Sequence, residues 1–192
     1  SIEEQIQSIG SNLLMIYPGA QKVPGAHVST GFGSAQSLTQ DDADAIRKEI
    51  NFIEAVAPES LNKYQVTARG TNTNTSVIGT VSSYIQVRNI EIDTGVFISD
   101  QNVKGLSKVA VLGPTTRDDL FGEDSNPIGQ KIRINRVDFT IIGITESKGG
   151  TGFGSQDDMI FIPISTAQRF LSGDDYLSSI NVQVKDEEFM TI

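Results

Sequence analysis

Apolar residues recur at helical spacing in two segments of the first 50 residues, and each segment has a residue suited to a helix end. The first stripe is Ile2, Ile6 and Ile9 followed by Gly10, and the second is Ala43, Ile46 and Ile50 preceded by Leu38 and Thr39. Glycine favours the position after a helix, and threonine favours the N-cap. We therefore expect helices over residues 1–10 and from Thr39 to about Asn51.

Short apolar or alternating runs predict strands over most of the remaining chain. These runs are residues 12–17, 53–57, 63–69, 76–81, 109–112, 131–134, 137–144, 159–162 and 179–184. Pro58 and Pro163 are expected to end the strands before them, because proline cannot donate to a ladder. Short helices are expected at residues 118–121 and 166–171, and residues 84–104 show no clear period. The mixture predicts an α+β fold.

Polar and Gly-rich segments separate the predicted strands. Residues 70–74 and 135–136 are polar, and each lies between two strand-like runs, so they predict the tips of two hairpins. Residues 19–37 and 147–156 are longer and rich in glycine. These two segments are expected to form exposed loops.

A five-residue sequence occurs in both Gly-rich loops. Thr-Gly-Phe-Gly-Ser occupies residues 30–34 and 151–155, so each loop carries one aromatic residue between glycines, Phe32 and Phe153. Apolar residues on loops can anchor a protein–protein interface. Phe32 and Phe153 are therefore candidates for partner contacts. The alternative, to which the sequence gives equal weight, is that each packs against its own part of the domain.

The composition excludes several classes of function. The net charge is −9, and an acidic surface repels nucleic-acid phosphates and anionic lipid headgroups. No nucleic-acid partner is therefore expected. The chain has no cysteine, which excludes a disulfide framework, a thiolate nucleophile and a cysteine-based zinc site. No apolar run approaches the roughly 20 residues that a membrane-spanning helix needs.

Both ends of the sequence resemble cut points within a longer polypeptide. The chain opens on Ser1, inside the first predicted helix. Asp186-Glu187-Glu188 resembles the acidic first turn of a helix, and the sequence stops at Ile192. We expect further sequence on both sides in the parent protein.

Four Asp-Asp pairs are the candidates for carboxylate chemistry. They are Asp41-Asp42, Asp118-Asp119, Asp157-Asp158 and Asp174-Asp175. Two acids from different segments that converge in one pocket would support a secreted carboxylate-based hydrolase, or a metal site. None of the pairs has the spacing of a calcium loop, and each has a local use in a helix, before a strand or in a turn. We therefore predict no catalytic and no metal-binding residue among them.

Residues 149–154 and His27 are the remaining candidates for chemistry. The Gly-rich run at 149–154 lacks the context of a dinucleotide-binding loop, because a strand rather than a helix follows it. His27 has neither a serine in a GxSxG motif nor a cysteine to activate. The sequence therefore predicts no active site and no cofactor, and it favours a binding or mechanical module. The alternatives are a free-standing ligand-binding or adhesion module and the hydrolase.

An ordered series of short motifs runs along nearly the whole chain. It comprises residues 10–14, 18–19, 38–39, 56–58, 77–81, 109–113, 120–122, 127–130, 139–144, 157–163 and 166–167. In order and spacing this series resembles the periplasmic core domain of MacB-type ABC-transporter permeases, within the wider FtsX-like permease superfamily. The family's Gly-Arg-x-Phe motif is only partly kept, with Gly95-Val96-Phe97 in its place. The family's final helix and strand would follow Ile192.

The resemblance implies a domain of two parts. A porter-like α/β subdomain would comprise residues 1–104 and 175–192 and would be truncated at its C-terminus. An inserted, mostly-β subdomain with short helices would comprise residues 105–174. The domain would lie on the extracytoplasmic side, between the first and second of four membrane helices of the parent permease.

The resemblance also implies partners rather than chemistry. The parent would act as a dimer of two permease copies with cytoplasmic ATPase subunits or domains, and a periplasmic adaptor (membrane fusion) protein is a further expected partner. ATP binding and hydrolysis would move the membrane helices, and the predicted helix of residues 1–10 would pass that motion outward. The domain itself would contact substrate or adaptor and would carry no catalysis.

Overall fold

The computed structural model describes residues 12–19, 37–149 and 155–185. Its strands are β1 (Leu13–Ile16), β2 (Ile53–Ala68), β3 (Thr71–Thr80), β4 (Ile92–Gly95), β5 (Val109–Leu112), β6 (Lys131–Ile134), β7 (Val137–Thr145), β8 (Met159–Pro163) and β9 (Ser179–Val184). Its helices are α1 (Gln40–Glu49), α2 (Tyr84–Val87), α3 (Asp100–Lys104), α4 (Pro114–Phe121) and α5 (Ile164–Ala167), and α5 continues as a π-helical turn, Gln168–Ser172. The predicted α+β fold is confirmed.

Strand β2 is 16 residues long and takes part in two sheets. Its first part pairs antiparallel with β9, and β9 pairs antiparallel with β1. From Ser60 onward β2 pairs instead with β3. The strand therefore connects a three-stranded sheet, ordered β1-β9-β2, to a second group of strands.

The second group of strands closes on itself. β3 pairs with β8, β8 with β5, β5 with β7, and β7 with β6. β6 returns to β2, where Ile134 pairs with Val66. Among the described residues, β2, β3, β8, β5, β7 and β6 thus form a closed ring, which leaves these strands few free edges. Its core holds fully buried side chains that include Leu112, Ile132, Phe139 and Ile160.

Helix α1 covers one face of the β1-β9-β2 sheet. Ala43 on α1 is buried against Val56 and Ile180 of that sheet. Asp42 Oδ2 accepts a hydrogen bond from the Thr39 backbone N–H at 2.8 Å, as a capping box requires. The predicted start of this helix at Thr39 is confirmed, and the helix ends at Glu49.

Pro58 does not end a strand, so the prediction of a short strand over residues 53–57 is wrong. Pro58 lies inside β2 and pairs with Ile180. Its carbonyl oxygen faces β3, where it accepts a hydrogen bond of 2.8 Å from Thr80 Oγ1. The N–H and C=O of one strand residue point to the same side, and the ladder with β3 begins only at Ser60. The missing N–H of proline therefore interrupts no ladder hydrogen bond.

Both predicted hairpins exist, but the first has a shorter tip than the sequence indicates. Arg69 and Gly70 form a two-residue turn with φ of 50° and 80°, and residues 71–74 already belong to β3. Positive φ at both central residues is typical of a type I′ turn. Asn135 and Arg136, with φ of 44° and 72°, make the second turn as predicted.

Residues 84–104, where the sequence shows no period, contain α2, β4 and α3. Tyr84 on α2 is buried, and the centroid of its ring lies 5.6 Å from that of Phe161 on β8. Phe97 packs against the same ring, with its centroid 5.7 Å from that of Phe161. The aromatic cluster joins α2 to β8, while Leu13 and Ala57 pack with Tyr84 on the face of the β1-β9-β2 sheet opposite α1. No helix in the described ranges is long and apolar enough to span a bilayer.

Candidate functional site

Phe32 and Phe153, the two predicted contact residues, lie outside the described residues, and so does His27. The structure does describe both ends of the second Gly-rich loop. Residues 147–149 leave strand β7, and residues 155–158 lead into strand β8. We call these seven residues the loop base.

The carboxylate of Asp157 joins the two ends of the loop. Its Oδ2 accepts hydrogen bonds from Ser147 Oγ at 2.7 Å and from Gly149 N at 3.2 Å. Its Oδ1 accepts from Lys148 N at 2.8 Å. Asp157 itself is only 6% exposed, whereas its three donors belong to exposed residues, so these charge-assisted hydrogen bonds are partly buried. Hydrogen bonds to Asp157 therefore connect the two ends of the loop that carries Phe153.

The next residue, Asp158, fixes the loop base to the ring. Its Oδ1 accepts hydrogen bonds of 3.1 Å from Thr75 Oγ1 on β3 and from Thr116 Oγ1 on α4. Gly113 packs against the backbone of the loop base, because a Cβ at that position would overlap the Asp157 carbonyl oxygen. Strands β3 and β8 and helix α4 thus meet at one carboxylate.

Asp119 interacts electrostatically with the loop base. Desolvation raises the pKa of Asp119 above its ordinary value, and the negative charges of Asp158 and Asp118 raise it further. The structure therefore brings two of the four Asp pairs into electrostatic contact. Asp118 in turn accepts from Arg117 at 2.9 Å. Asp157 and Asp158 are both engaged as hydrogen-bond acceptors, so these two carboxylates fasten the base of the loop.

The other two Asp pairs have local roles. Asp42 caps α1, and Asp174 Oδ1 accepts from Tyr176 N at 3.2 Å in the turn before β9. Across the described ranges, no group of three or more His, Cys, Asp or Glu side chains is placed to hold a metal ion.

A buried polar network lies between α2 and the β1-β9-β2 sheet, and sequence reasoning missed it. Glu59 is 6% exposed and Asn181 is fully buried. Asn181 Nδ2 donates to Glu59 Oε2 at 3.0 Å and to Ala57 O at 3.2 Å. Ser179 Oγ donates to the same Glu59 oxygen at 3.1 Å, and Arg88 Nη1 donates to Asn181 Oδ1 at 3.1 Å. The network joins a buried carboxylate to a guanidinium through a neutral amide.

The alternation along β9 was the available signal for this network. Polar Ser179, Asn181 and Gln183 alternate with apolar Ile180, Val182 and Val184. Alternation of this kind ordinarily indicates a solvent-facing polar row. Here α2 covers that row, so Ser179 and Asn181 are buried and find partners within the protein, while the half-buried Gln183 accepts from Gln86 on α2 at 3.0 Å. Burial beside Glu59 also raises the pKa of Tyr84, first through desolvation and then through the charge of Glu59.

An apolar groove lies on the other face, between α1 and β1. Its lining combines five apolar residues with two acids, namely Ile16, Leu38, Ala45, Ile46, Ile50, Asp42 and Glu49. The groove encloses about 370 Å³. Beside it Tyr17 is 54% exposed, which is unusual for a large aromatic side chain next to a sheet.

Strand β1 also has a free edge among the described residues. It pairs with β9 alone, and Val184 N donates to Asn12 O at the start of that ladder. Backbone groups alternate in direction along an antiparallel strand. The N–H and C=O groups of Leu13 and Met15 therefore point away from β9. Within the described residues, the groove and this edge lie together at the β1 side of the sheet.

Comparison with protein families and curated proteins gives a consistent result. The model of the MacB-like periplasmic core domain matches residues 1–191. The chain is 39% identical over 186 residues to "Macrolide export ATP-binding/permease protein MacB" of Bdellovibrio bacteriovorus, and 38% identical over 188 residues to the protein of that name from Chlorobaculum tepidum. These matches cover 97% and 98% of this chain and 28% of each relative. The chain thus spans less than a third of the length of these relatives.

Two solved structures share the fold. The periplasmic region of MacB from Actinobacillus actinomycetemcomitans matches with a TM-score of 0.78 and 22% identity, over 97% of this chain and 80% of that chain. The extracellular domain of the noncanonic ABC-type transporter YknZ from Gram-positive bacteria matches with a TM-score of 0.75 and 15% identity, over 93% of this chain and 87% of that chain. At these identities the likeness concerns the fold alone.

Proposed function

Because the chain belongs to the family of MacB-like periplasmic core domains, we propose that it transmits ATP-driven conformational change in an ABC-transporter permease. The family places the domain on the extracytoplasmic side of the membrane. The observation that carries the proposal is the 39% identity to a MacB permease over 97% of the chain. That relative is named as an ATP-binding permease, which supports an ATPase partner on the cytoplasmic side.

We also propose that the domain carries no catalysis of its own. Of the carboxylates that come together at the loop base, Asp157 and Asp158 are engaged in hydrogen bonds to β3, α4 and the residues after β7. ATP hydrolysis would take place in the parent, on an ATPase subunit or domain. Any export of macrolides or other substrates belongs likewise to the whole transporter.

The proposed division into two parts follows the sheets. The porter-like part comprises residues 1–104 and 175–192, and it is supported by β9 returning to lie between β1 and β2. The inserted part comprises residues 105–174, and it is supported by the closed ring. The β2–β3 hairpin extends from the first part into that ring.

A further helix and strand of the parent would complete the porter-like part. A strand added to the free edge of β1 would run parallel to β9, and a connection between parallel strands is almost always right-handed. The β1–α1–β2 connection crosses the same sheet. Compared with a connection from β9 past β1, its strands run in the opposite direction and it crosses in the opposite lateral direction, so two connections of the same hand lie on the same face. A right-handed connection from β9 therefore passes over the face that carries α1, where the apolar groove lies.

Extending the chain tests this completion. In a version that continues about 40 residues further into the parent, a length suited to one helix and one strand, we expect the amide protons of Leu13 and Met15 to exchange at least tenfold more slowly with deuterium. Ile46→Asp, which places a charge in the groove, should abolish that gain, whereas Lys48→Asp on an exposed part of α1 should not. Unchanged exchange at Leu13 and Met15 in the longer chain would contradict the completion.

We propose that Phe32 and Phe153 contact a partner, and that the partner is a periplasmic adaptor (membrane fusion) protein. The loop base supports this for Phe153. Asp157 ties the two ends of the loop together, which lowers the conformational entropy lost when the loop binds. A second permease copy is the other proposed partner, held mainly through the membrane and ATPase parts.

Binding of a periplasmic adaptor (membrane fusion) protein to the chain tests the contact. Phe153→Ala should weaken binding at least tenfold, as expected for an aromatic anchor of an interface. Phe170→Ala removes an exposed phenylalanine from the π-helical turn and should change affinity less than twofold. Equal effects of the two substitutions would remove the assignment of Phe153.

The transmission role is tested in the full-length permease, embedded in nanodiscs with its ATPase. Deuterium exchange is measured without nucleotide and with ATP bound to an ATPase in which hydrolysis is blocked. We expect peptides that cover residues 12–19 to change their exchange between the two states, because this segment lies beside the predicted connecting helix. Identical exchange throughout residues 12–185 would favour a passive ligand-binding or adhesion module instead.

A further inference from the structure

Arg88 is held from two sides by residues that are far apart in the sequence. Its carbonyl oxygen accepts a hydrogen bond of 2.8 Å from Lys148 Nζ, and Lys148 belongs to the loop base. Its guanidinium Nη1 donates to Asn181 Oδ1 at 3.1 Å, and Asn181 lies on β9. One residue at the end of α2 thus bonds both to the inserted part and to the central strand of the porter-like sheet.

The guanidinium of Arg88 also reaches strand β1. Nη1 lies 3.7 Å from Met15 Sδ, and Met15 pairs with Asn181 across the sheet. Arg88 Cζ lies 5.9 Å from the centroid of the Tyr84 ring, within the range of a cation–π interaction. These contacts hold the side chain against β1 and β9 at once.

Charge balance gives Arg88 an electrostatic role in the same place. Glu59 is a buried carboxylate, and a buried charge without compensation is costly. Asn181 points its Nδ2 to Glu59 and its Oδ1 to Arg88, so its amide dipole links the two opposite charges. Glu59 and Ala57 on the Nδ2 side and Arg88 on the Oδ1 side together orient the Asn181 amide.

Lys148 links Arg88 to the loop base through two different groups. Its backbone N–H donates to Asp157 Oδ1 at 2.8 Å, while its Nζ donates to the Arg88 carbonyl oxygen. Desolvation lowers the pKa of Lys148, and the neighbouring Arg88 charge lowers it further. A continuous chain of hydrogen bonds thus runs from Asp157 through Lys148, Arg88 and Asn181 to Glu59.

We infer that Arg88 is a positioning residue that couples the base of the second Gly-rich loop to strand β1. The inference rests on the proposed transmission role and names a route for it. A displacement at the loop base moves the Arg88 backbone through Lys148, and the Arg88 side chain carries the displacement to β9 and β1. Coupling of this kind needs a contiguous physical contact and a direct energetic test.

Hydrogen exchange in the 192-residue chain tests the coupling. Lys148→Met keeps the aliphatic side chain and removes the donor to Arg88. We expect the amides of Leu14 and Ile16 on β1 to exchange at least threefold faster, while those of β6 and β7 in the ring stay unchanged. Lys131→Met on β6 is the matched control and should leave β1 unaffected. Unchanged amide exchange in β1, or uniformly faster exchange over the whole chain, would overturn the inference.

A double-mutant cycle gives a second, independent measurement. Lys148→Met and Asn181→Ser are made singly and together, and the unfolding equilibrium constant is measured in urea. Coupled residues deviate from additivity, whereas independent ones add. We expect the combined effect on the equilibrium constant to differ from the product of the single effects by about threefold or more. A combined effect that lies within twofold of the product of the single effects would contradict the coupling. Because no nucleotide is involved, that result would leave the proposed transporter role untouched.

Discussion

Asn181 donates a hydrogen bond of 3.0 Å from Nδ2 to Glu59 Oε2, and both side chains lie beneath α2. Glu59 lies on β2 and pairs with Ser179 of β9, so its carboxylate lies next to the middle strand of the sheet, β9. The amide satisfies the carboxylate on one side and accepts from Arg88 on the other. The stability of the β1-β9-β2 sheet should therefore respond sharply to the chemistry at position 181.

Asn181→Asp should destabilise the chain by about 3 kcal/mol at neutral pH, because it sets a second buried carboxylate beside Glu59. One of the two carboxyls must then take up a proton, so its pKa in the folded state rises above the unfolded value. The variant should regain part of its stability as the pH falls toward 5. Urea unfolding at pH 7 and pH 5 measures both effects. Asn62→Asp, on an exposed position of β2, is the control, and equal losses at the two positions would refute the prediction.

Gly143→Ala should destabilise the chain by about 2 kcal/mol. A Cβ at position 143 of β7 would overlap the carbonyl oxygen of Val96, which is backbone and cannot move aside as a side chain does. A Cβ at Gly19 would meet no atom within 4 Å, so Gly19→Ala should stay within about 0.5 kcal/mol of the parent chain. Thermal unfolding of the two variants gives the comparison, and a neutral Gly143→Ala would show that residue 96 and β7 pack less closely than this contact requires.

Asp157→Asn should loosen the loop base and cost about 1–3 kcal/mol. The amide cannot accept from Ser147, Lys148 and Gly149 together, because one of its two oxygens is replaced by a donor. Limited proteolysis near the loop should become faster. Asp138→Asn is the matched control, since its ion pair with Arg133 at 3.0 Å is exposed and worth little. Similar losses in the two variants would argue against a special role for Asp157.

Glu146→Gln should raise the melting temperature slightly at pH 7. A hydrogen bond to Glu91, and then the charges of Glu91 and Asp93, raise the pKa of Glu146 above its ordinary value. The folded state therefore binds this proton more tightly than the unfolded state, and stability falls as the pH rises from the ordinary pKa through the raised one. The gain should vanish in acid, where the carboxyl is protonated in both states. A pH-independent difference would show that the substitution acts through packing instead.

Much of the fold could be predicted from local patterns. The β6–β7 and β9 strands were predictable because each alternates or forms a compact apolar run, and their turn residues tolerate positive φ. The capping of α1 followed from Thr39 and the acids after it. These features depend on neighbours in sequence, which is what a single sequence contains.

The errors arise where distant segments decide the outcome. Pro58 can lie within a strand because its backbone N faces β3 at a position where β3 does not yet pair with β2. Only the observed strand pairing reveals this. Ser179 and Asn181 of β9 are buried because α2 covers them, and α2 lies in the segment without a period. The closed ring depends on β6 meeting β2 across more than 60 residues of sequence. The loop base was missed for the same reason, since Asp157 and Asp158 gain their roles from partners on other elements.

A distance measurement in the full-length permease tests the central claim most directly. This chain has no cysteine, so in a full-length permease whose remaining cysteines are replaced, Thr115→Cys on the exposed side of α4 gives one spin label in each copy. Pulsed electron paramagnetic resonance then measures the distance between the labels in the nucleotide-free and ATP-bound states. The account predicts that the distance distribution shifts when ATP binds on the cytoplasmic side. The same distribution in both states would contradict the claim that this domain receives and transmits ATP-driven motion.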